Sequence, residues 1–217
     1  FWVRDRTIDY LSSAERQDRP FFGFVSFPDP HHPFTPPGRY WDMYDPDDMV
    51  LPESFSNRSD HPPPHLKWLR ENGELGKAAY GAALVSERQA REAMALTCGM
   101  IAMIDDAVGD ILDQLEASGL ADNTIIVFTS DHGDFLGDHG IILKGPMHYQ
   151  STVRVPFIWA DPDGAGQDRS ERLCSAVDIG PTVLQRAGLT PYCGMQGRDL
   201  FDTTPRNSVL IEDDGNR

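Results

Sequence analysis

Asp131 and His132 follow the run Asn123–Thr129 after one serine, in the order S-D-H-G. A carboxylate beside an imidazole offers an oxygen and a nitrogen ligand within one short turn, which suits a divalent cation once other carboxylates complete the shell. The same D-H-G also reads as a plain structural turn, with Gly133 letting the chain swing away. Lys144 follows His132 by twelve residues and precedes Gly145-Pro146. By default it is a lone surface lysine; in a loop folded back on a cation it becomes an anion clamp. His31 and His32 sit in P-D-P-H-H-P-F-T-P-P, where prolines hold the backbone extended and remove local hydrogen bonding. That segment reads either as a solvated connector or as a stiff loop presenting two imidazoles.

These residues need elements to position them. Ile8 to Arg16 can form a short helix, and Phe21–Phe27 (F-F-G-F-V-S-F) reads as a buried strand leading into the histidine loop. Tyr40 to Gly76 is a long excursion rich in Asp, Pro, Asn and Ser, of the kind that covers a site or contacts substrate. Its His61 and His65, in H-P-P-P-H, are expected at the surface. From Ala83 to Ser118 a helix is expected, with Leu96, Met100, Ile104, Val108, Ile111 and Leu115 on one face and Gly119 at its end. Asp105, Asp106, Asp110 and Asp113 fall mostly on the solvated side. Asn123–Thr129 reads as a strand covered on both faces. A helix followed by such a strand predicts an α/β fold with a mostly parallel central sheet flanked by helices, and places Asp131 and His132 at the carboxyl end where such sheets put their sites. Arg154–Ala160 supplies another strand, Asp178 can cap a helix with Pro181 in its first turn and Gly188 at its end, and Ser208–Glu212 is a last short strand.

With 217 residues and 40% hydrophobic content, the chain suffices for one large domain with a real core. A formal charge of −15 argues against nucleic acid as a partner, because phosphate binding needs a clustered basic surface. The acidic excess reads first as a solvated surface and second as carboxylates recruited for a cation. No apolar run is long enough to span a membrane, and Phe1-Trp2-Val3-Arg4 has neither a starting Met nor a signal-peptide pattern, so the N-terminus is expected to be cut. Cys98, Cys174 and Cys193 show no metal-binding spacing and read as packing residues, with a Cys174–Cys193 disulfide left open.

Taken together, S-D-H-G-D-F-L-G-D-H-G, then K-G-P-M-H-Y, then V-R-V-P-F-I-W resemble the second signature region of the sulfatases, within the alkaline phosphatase superfamily. Phe27 to Pro37 is similar to the family's strand followed by P-H-x-P. Ile104 to Ser130 resembles its helix, D-x-x-V-G and G-L-x-D-x-T-x-x-x-F-x-S; Asp178 to Leu200 resembles D-x-x-P-T-x-L…A-G…Q-G-R-x-L. The order of these motifs implies an alkaline-phosphatase-like catalytic domain, present in part across residues 1–217.

The resemblance implies specific roles. Asp131 and His132 are two protein ligands of a divalent cation, calcium first, with manganese and magnesium as alternatives. Lys144 holds the sulfate oxygens, and His31 is the histidine near the ester oxygen, acting as general acid, while His32 occupies a variable position. His148 could assist Lys144, and His139 shapes its loop. The expected substrate is a small-molecule or saccharide sulfate ester. The Asp-His pair and K-G-P-M-H-Y also resemble phosphonate monoester and phosphodiester hydrolases of the superfamily, which form the second reading; a third is a non-catalytic module retaining the fold. One departure stands out. Sulfatases convert a Cys or Ser in C/S-x-P-x-R to formylglycine, whose hydrate attacks sulfur, and none of the three cysteines here has that context. The nucleophile and the first metal-binding carboxylates are therefore expected upstream of Phe1, and a smaller C-terminal subdomain beyond Arg217.

Overall fold

A computed structural model describes residues 1–13, 19–56, 61–73, 81–164, 170–204 and 206–212. The chain divides into two compact units, Phe1–Asp163 and Gly164–Arg217.

In the first unit, α1 (Trp2–Leu11) buries Leu11. It begins earlier than expected, and residues 14–16 of the expected helix lie outside the described residues. Phe21–Phe27 is not a strand: Phe22 is 75% and Phe24 84% exposed. The long excursion is ordered in three 3-10 turns, Gly38–Tyr40, Pro46–Asp48 and Glu53–Phe55, followed by α2 (Pro64–Asn72). Leu66 and Leu69 of α2 pack with Ala82, Phe135, Ile141 and Met147 in the larger apolar cluster. The excursion is thus part of the core, and its tail past Gly73 lies outside the described residues.

Next come β1 (Ala83–Leu84) and α3 (Glu87–Ala117). Ser86 starts α3 with a reciprocal cap: the Gln89 amide donates to the Ser86 hydroxyl, and the Ser86 amide donates to Gln89 Oε1 at 2.9 Å. Gly119, at φ +65°, ends it, with the Leu120 amide reaching back to the Leu115 carbonyl at 3.0 Å. The buried face is rich in small residues, including Ala90, Ala93, Gly99 and Ala107 around Met100 and Met103. A Cβ at Gly99 would strike the Tyr40 carbonyl, so this small-residue face lets the excursion lie close on the helix. Asp106 and Asp110 do more than meet solvent. Asp106 accepts from Tyr40 Oη at 2.6 Å and Arg39 at 2.5 Å, and Asp110 accepts from Arg4 at 2.9 Å.

The expected parallel sheet is not what forms among the described residues. β2 (Ile126–Thr129) pairs antiparallel with β4 (Phe157–Ala160), in the register Ile126↔Ala160 to Thr129↔Phe157. β1 pairs antiparallel with β3 (Ile141–Ile142). Each ladder has two strands, β2 is partly exposed along its length, and the apolar Phe21–Phe27 run that could have supplied a parallel neighbour makes no ladder. The short helix α4 (Gln150–Val153) precedes β4.

In the second unit, α5 (Ile179–Arg186) ends at Gly188, φ +72°, with the Leu189 amide on the Leu184 carbonyl at 2.8 Å. Asp178 precedes α5, but its carboxylate does not cap it. The carboxylate is 2% exposed and accepts from the Ser175 and Arg198 amides, both at 2.8 Å, and from the Arg206 guanidinium at 2.5 and 2.9 Å. Burial pushes this carboxyl up, yet the Arg206 hydrogen bond and the two amides outweigh it and hold its pKa below the usual range. Ser208–Glu212 is not a strand. Cys98, Cys174 and Cys193 are free thiols, and burial pushes the Cys98 thiol up.

Candidate active site

A small apolar cluster brings the histidine loop to the lysine loop. Ala83, Ala93 and Ile142 are buried together, and Phe34, Val85 and Leu143 pack against them. Phe34 lies two residues past His32, and Leu143 immediately precedes Lys144. Packing of these two partly buried side chains against one cluster therefore brings both loops to the same place. The electrostatics agree: burial lowers the pKa of His32, the charges of His31 and Lys144 lower it further, and Asp134 opposes them.

The turn after β2 is tied to the same hairpin. Gly133 donates its amide to the Thr152 carbonyl at 2.8 Å, and a Cβ at Gly133 would lie 3.1 Å from the Ser151 carbonyl carbon and closer still to its oxygen. Only glycine lets this turn pass against α4. Asp134 Oδ1 accepts from the Leu136 amide at 3.0 Å and the Leu143 amide at 2.9 Å, while Phe135 donates to the Leu143 carbonyl. Leu136, His139 and Leu143 all take positive φ, an unfavourable conformation held by this bonding and by the burial of Phe135 and Ile141. Lys144 emerges from this loop half-buried, with no carboxylate partner among the described residues.

Asp131 and His132 remain open at the end of β2, with side-chain exposures of 83% and 41%. Asp131 Oδ1 accepts from the His132 amide at 2.9 Å, which leaves Oδ2 facing His132 Nε2 at 3.5 Å. His132 Nδ1 lies 2.9 Å from the Gly133 carbonyl. A carbonyl only accepts, so Nδ1 carries the proton and Nε2 keeps its lone pair. Two donor atoms about 3.4 Å apart are what one cation with bonds of about 2.4 Å needs at a right angle. This pair therefore fits a divalent cation as part of its shell. Among the described residues no three or more His, Cys, Asp or Glu side chains gather into a group that could hold a metal ion, at this pair or elsewhere.

His31 is exposed, stacked on His32 with ring centroids 4.1 Å apart and planes at 27°, and its Nδ1 lies 2.6 Å from the His32 carbonyl. The imidazole of His148 is exposed, and the described contacts do not join it to Lys144. His139 Nε2 lies 3.8 Å from Asp138 Oδ1, and its ring meets Tyr149 edge-on at 4.7 Å.

Several structural partners escape a linear reading of the sequence. Asp138 accepts from Ser54 Oγ and from Ser151 Oγ, the latter at 2.8 Å, and so joins the excursion to α4. His65, expected as a plain surface residue, is exposed but bonds Tyr149 Oη through Nε2 at 2.7 Å. Burial and the charge of Asp138 raise the Tyr149 pKa. One signal for these contacts exists in the sequence: the second acidic-histidine pair, Asp138-His139, repeats Asp131-His132 within one loop.

Residues 3–189 match the family model described as Sulfatase, so the chain belongs to the sulfatase family. It is 30% identical over 247 aligned positions to the multifunctional alkaline phosphatase superfamily protein PehA of Trinickia caryophylli, covering 97% of this chain and 47% of that protein. It is 32% identical to an arylsulfatase of Clostridium perfringens, covering 96% of this chain and 42% of the relative. The phosphonate monoester hydrolase structure of Agrobacterium radiobacter superposes with a TM-score of 0.74 at 31% identity, over 92% of this chain and 40% of that one. The chain thus spans less than half the length of these relatives, and its architecture is part of an alkaline-phosphatase-like α/β domain.

Proposed function

We propose that the complete protein is a sulfuric ester hydrolase of the arylsulfatase type, acting on a small-molecule or saccharide sulfate ester. The observation that carries this reading is the meeting of the His31–His32 loop with Lys144, a half-buried cation with no carboxylate partner among the described residues of an acidic chain. Such a lysine is free to hold an anion.

In this reading Lys144 binds the sulfate oxygens and steadies the charge that grows on them in the transition state. His31 is the general acid. With Nδ1 bound to the His32 carbonyl, Nε2 of the protonated ring gives its proton to the leaving oxygen as the S–O bond breaks, and the organic part departs as the alcohol. Asp131 Oδ2 and His132 Nε2 hold a divalent cation, for which we propose calcium, with manganese and magnesium as competitors. When bound, the cation polarises the sulfate oxygens as a Lewis acid. His148 is an auxiliary anion contact beside Lys144. A formylglycine and further carboxylate ligands come from residues outside these 217, as does the rest of the proposed parallel sheet. The 217 residues alone are expected to bind the cation weakly, since two ligands fill little of a shell of six to eight, and to show no turnover.

A second reading, a phosphonate monoester or phosphodiester hydrolase, is favoured by the 31% identity to the Agrobacterium radiobacter enzyme. The full-length protein assayed on 4-nitrophenyl sulfate and on 4-nitrophenyl phenylphosphonate separates the two. The sulfatase reading expects the larger kcat/KM on the sulfate; a reversed order selects the phosphonate reading, and no turnover of either selects the non-catalytic module.

A further inference from the structure

We infer that His32 is a positioning residue, whose neutral ring is the platform on which His31 is held as the proton donor. The inference deepens the proposed sulfatase reading and rests on His31 being its general acid. Three observations carry it. The two imidazoles lie nearly parallel at 4.1 Å, so the His32 ring covers one face of His31 and limits its swing on an otherwise exposed loop. His31 Nδ1 bonds the main-chain carbonyl of His32 at 2.6 Å, which directs Nε2 outward. His32 Nδ1 is buried and has no hydrogen-bond partner among the described residues, so no polar contact at that nitrogen holds the ring and packing does.

The unpartnered nitrogen also determines the proton state of His32. A buried N–H with no acceptor is costly, so His32 carries its proton on Nε2 and keeps a lone pair on Nδ1. A protonated ring would bury that donor and place a second positive charge against His31 and near Lys144. The lowered pKa of His32 follows from burial first, then from His31 and Lys144, with Asp134 opposing. His32 is therefore the neutral member of the stack, and the ring it supports is that of His31. Phe34 finishes the device: it packs on the Ala83–Ala93–Ile142 cluster and anchors the loop two residues past His32.

The test uses the full-length protein with His32→Ala, His32→Phe and His31→Phe. Removing the ring should lower kcat on phenyl sulfate roughly 10- to 100-fold with KM little changed, because a misplaced acid loses its transition-state contact. The fall should be much smaller on 4-nitrophenyl sulfate, whose leaving group needs little protonation. His32→Phe keeps the ring face and should restore kcat to within about threefold of the parent. His32→Phe as damaging as His31→Phe would make His32 the proton donor and overturn the inference, as would an unchanged kcat in His32→Ala. A readout independent of turnover keeps the two claims apart. Nitrogen-15 NMR of the neutral imidazoles should show His31 protonated on Nδ1 in the parent and a tautomer mixture in His32→Ala. If no sulfate ester is turned over but this pattern holds, the function fails and the platform stands; an Nε2-protonated His31 in the parent overturns the platform.

Discussion

Gly133→Ala tests the junction on which the candidate cation pair depends. The added methyl would sit 3.1 Å from the Ser151 carbonyl carbon and closer still to its oxygen, with Thr152 Cα at 3.3 Å. These neighbours are backbone, so no flexible side chain can swing away. Overpacking of this kind costs about 1–3 kcal/mol. Separating the loop from α4 also stretches the 2.8 Å bond from the Gly133 amide to the Thr152 carbonyl, for another ~1 kcal/mol. The combined ~2–4 kcal/mol corresponds to a Tm fall of about 5–15 °C in a protein of this size. The Gly133 carbonyl is the acceptor for His132 Nδ1, so the tautomer that frees Nε2 is disturbed too, and calcium affinity of the full-length protein should drop about 10- to 100-fold. Gly109→Ala is the control. It lies inside α3, an added methyl meets open space, and the change should add ~0.5–1 kcal/mol through helix propensity. Differential scanning calorimetry and calcium titration calorimetry read both effects. Gly133→Ala with parental Tm and calcium affinity would refute the argument that this glycine holds the loop to α4.

Other predictions follow from the same geometry. Asp178→Ala leaves Arg206 without its buried partner and should destabilise the Gly164–Arg217 unit by about 3–5 kcal/mol, seen as an earlier denaturant midpoint for that unit. Because the folded Asp178 pKa is lowered, its stabilisation is fully present above the unfolded carboxylate value of about 4 and is lost as pH falls through the folded value. Acid titration of the parent should show that loss, and the Ala variant should lack it. Tyr149→Phe removes the bond to His65 and should cost about 1 kcal/mol by thermal melt. In the parent, phenolate titration should place Tyr149 above the usual tyrosine value, because of burial and then the Asp138 charge.

The ends of α3 and α5 were legible because their signals are local: Gly119 and Gly188 take the positive φ that ends a helix. The start of α3 was expected at Ala83, but Ala83–Leu84 pairs as β1 and the Ser86–Gln89 cap begins the helix at Glu87. β2 and β4 were also legible as apolar runs, but not their direction: an apolar run states what it buries, not which neighbour it meets. Phe21–Phe27 shows this most clearly, reading as a strand yet lying without a ladder. The motif order set His31 and Lys144 on two loops far apart in the sequence. It could not reveal that Phe34 and Leu143 join them, or that His65 reaches Tyr149 across 84 residues. The His65 contact depends on α2 folding into the core, and the proline-rich frame before it concealed α2 as a loop. Asp178 was read as a cap because Pro181 follows it; its partner Arg206 lies 28 residues later and has no pattern of its own.

The central claim is that the lysine delivered beside the histidine loop holds the sulfate of a scissile ester. Its most direct measurement is kcat/KM for 4-nitrophenyl sulfate in the full-length protein and in Lys144→Ala. The account predicts turnover by the parent and a loss of about 10²–10³ in the variant. Turnover that survives the loss of Lys144, or a parent that hydrolyses the phosphonate ester and leaves the sulfate intact, would contradict it.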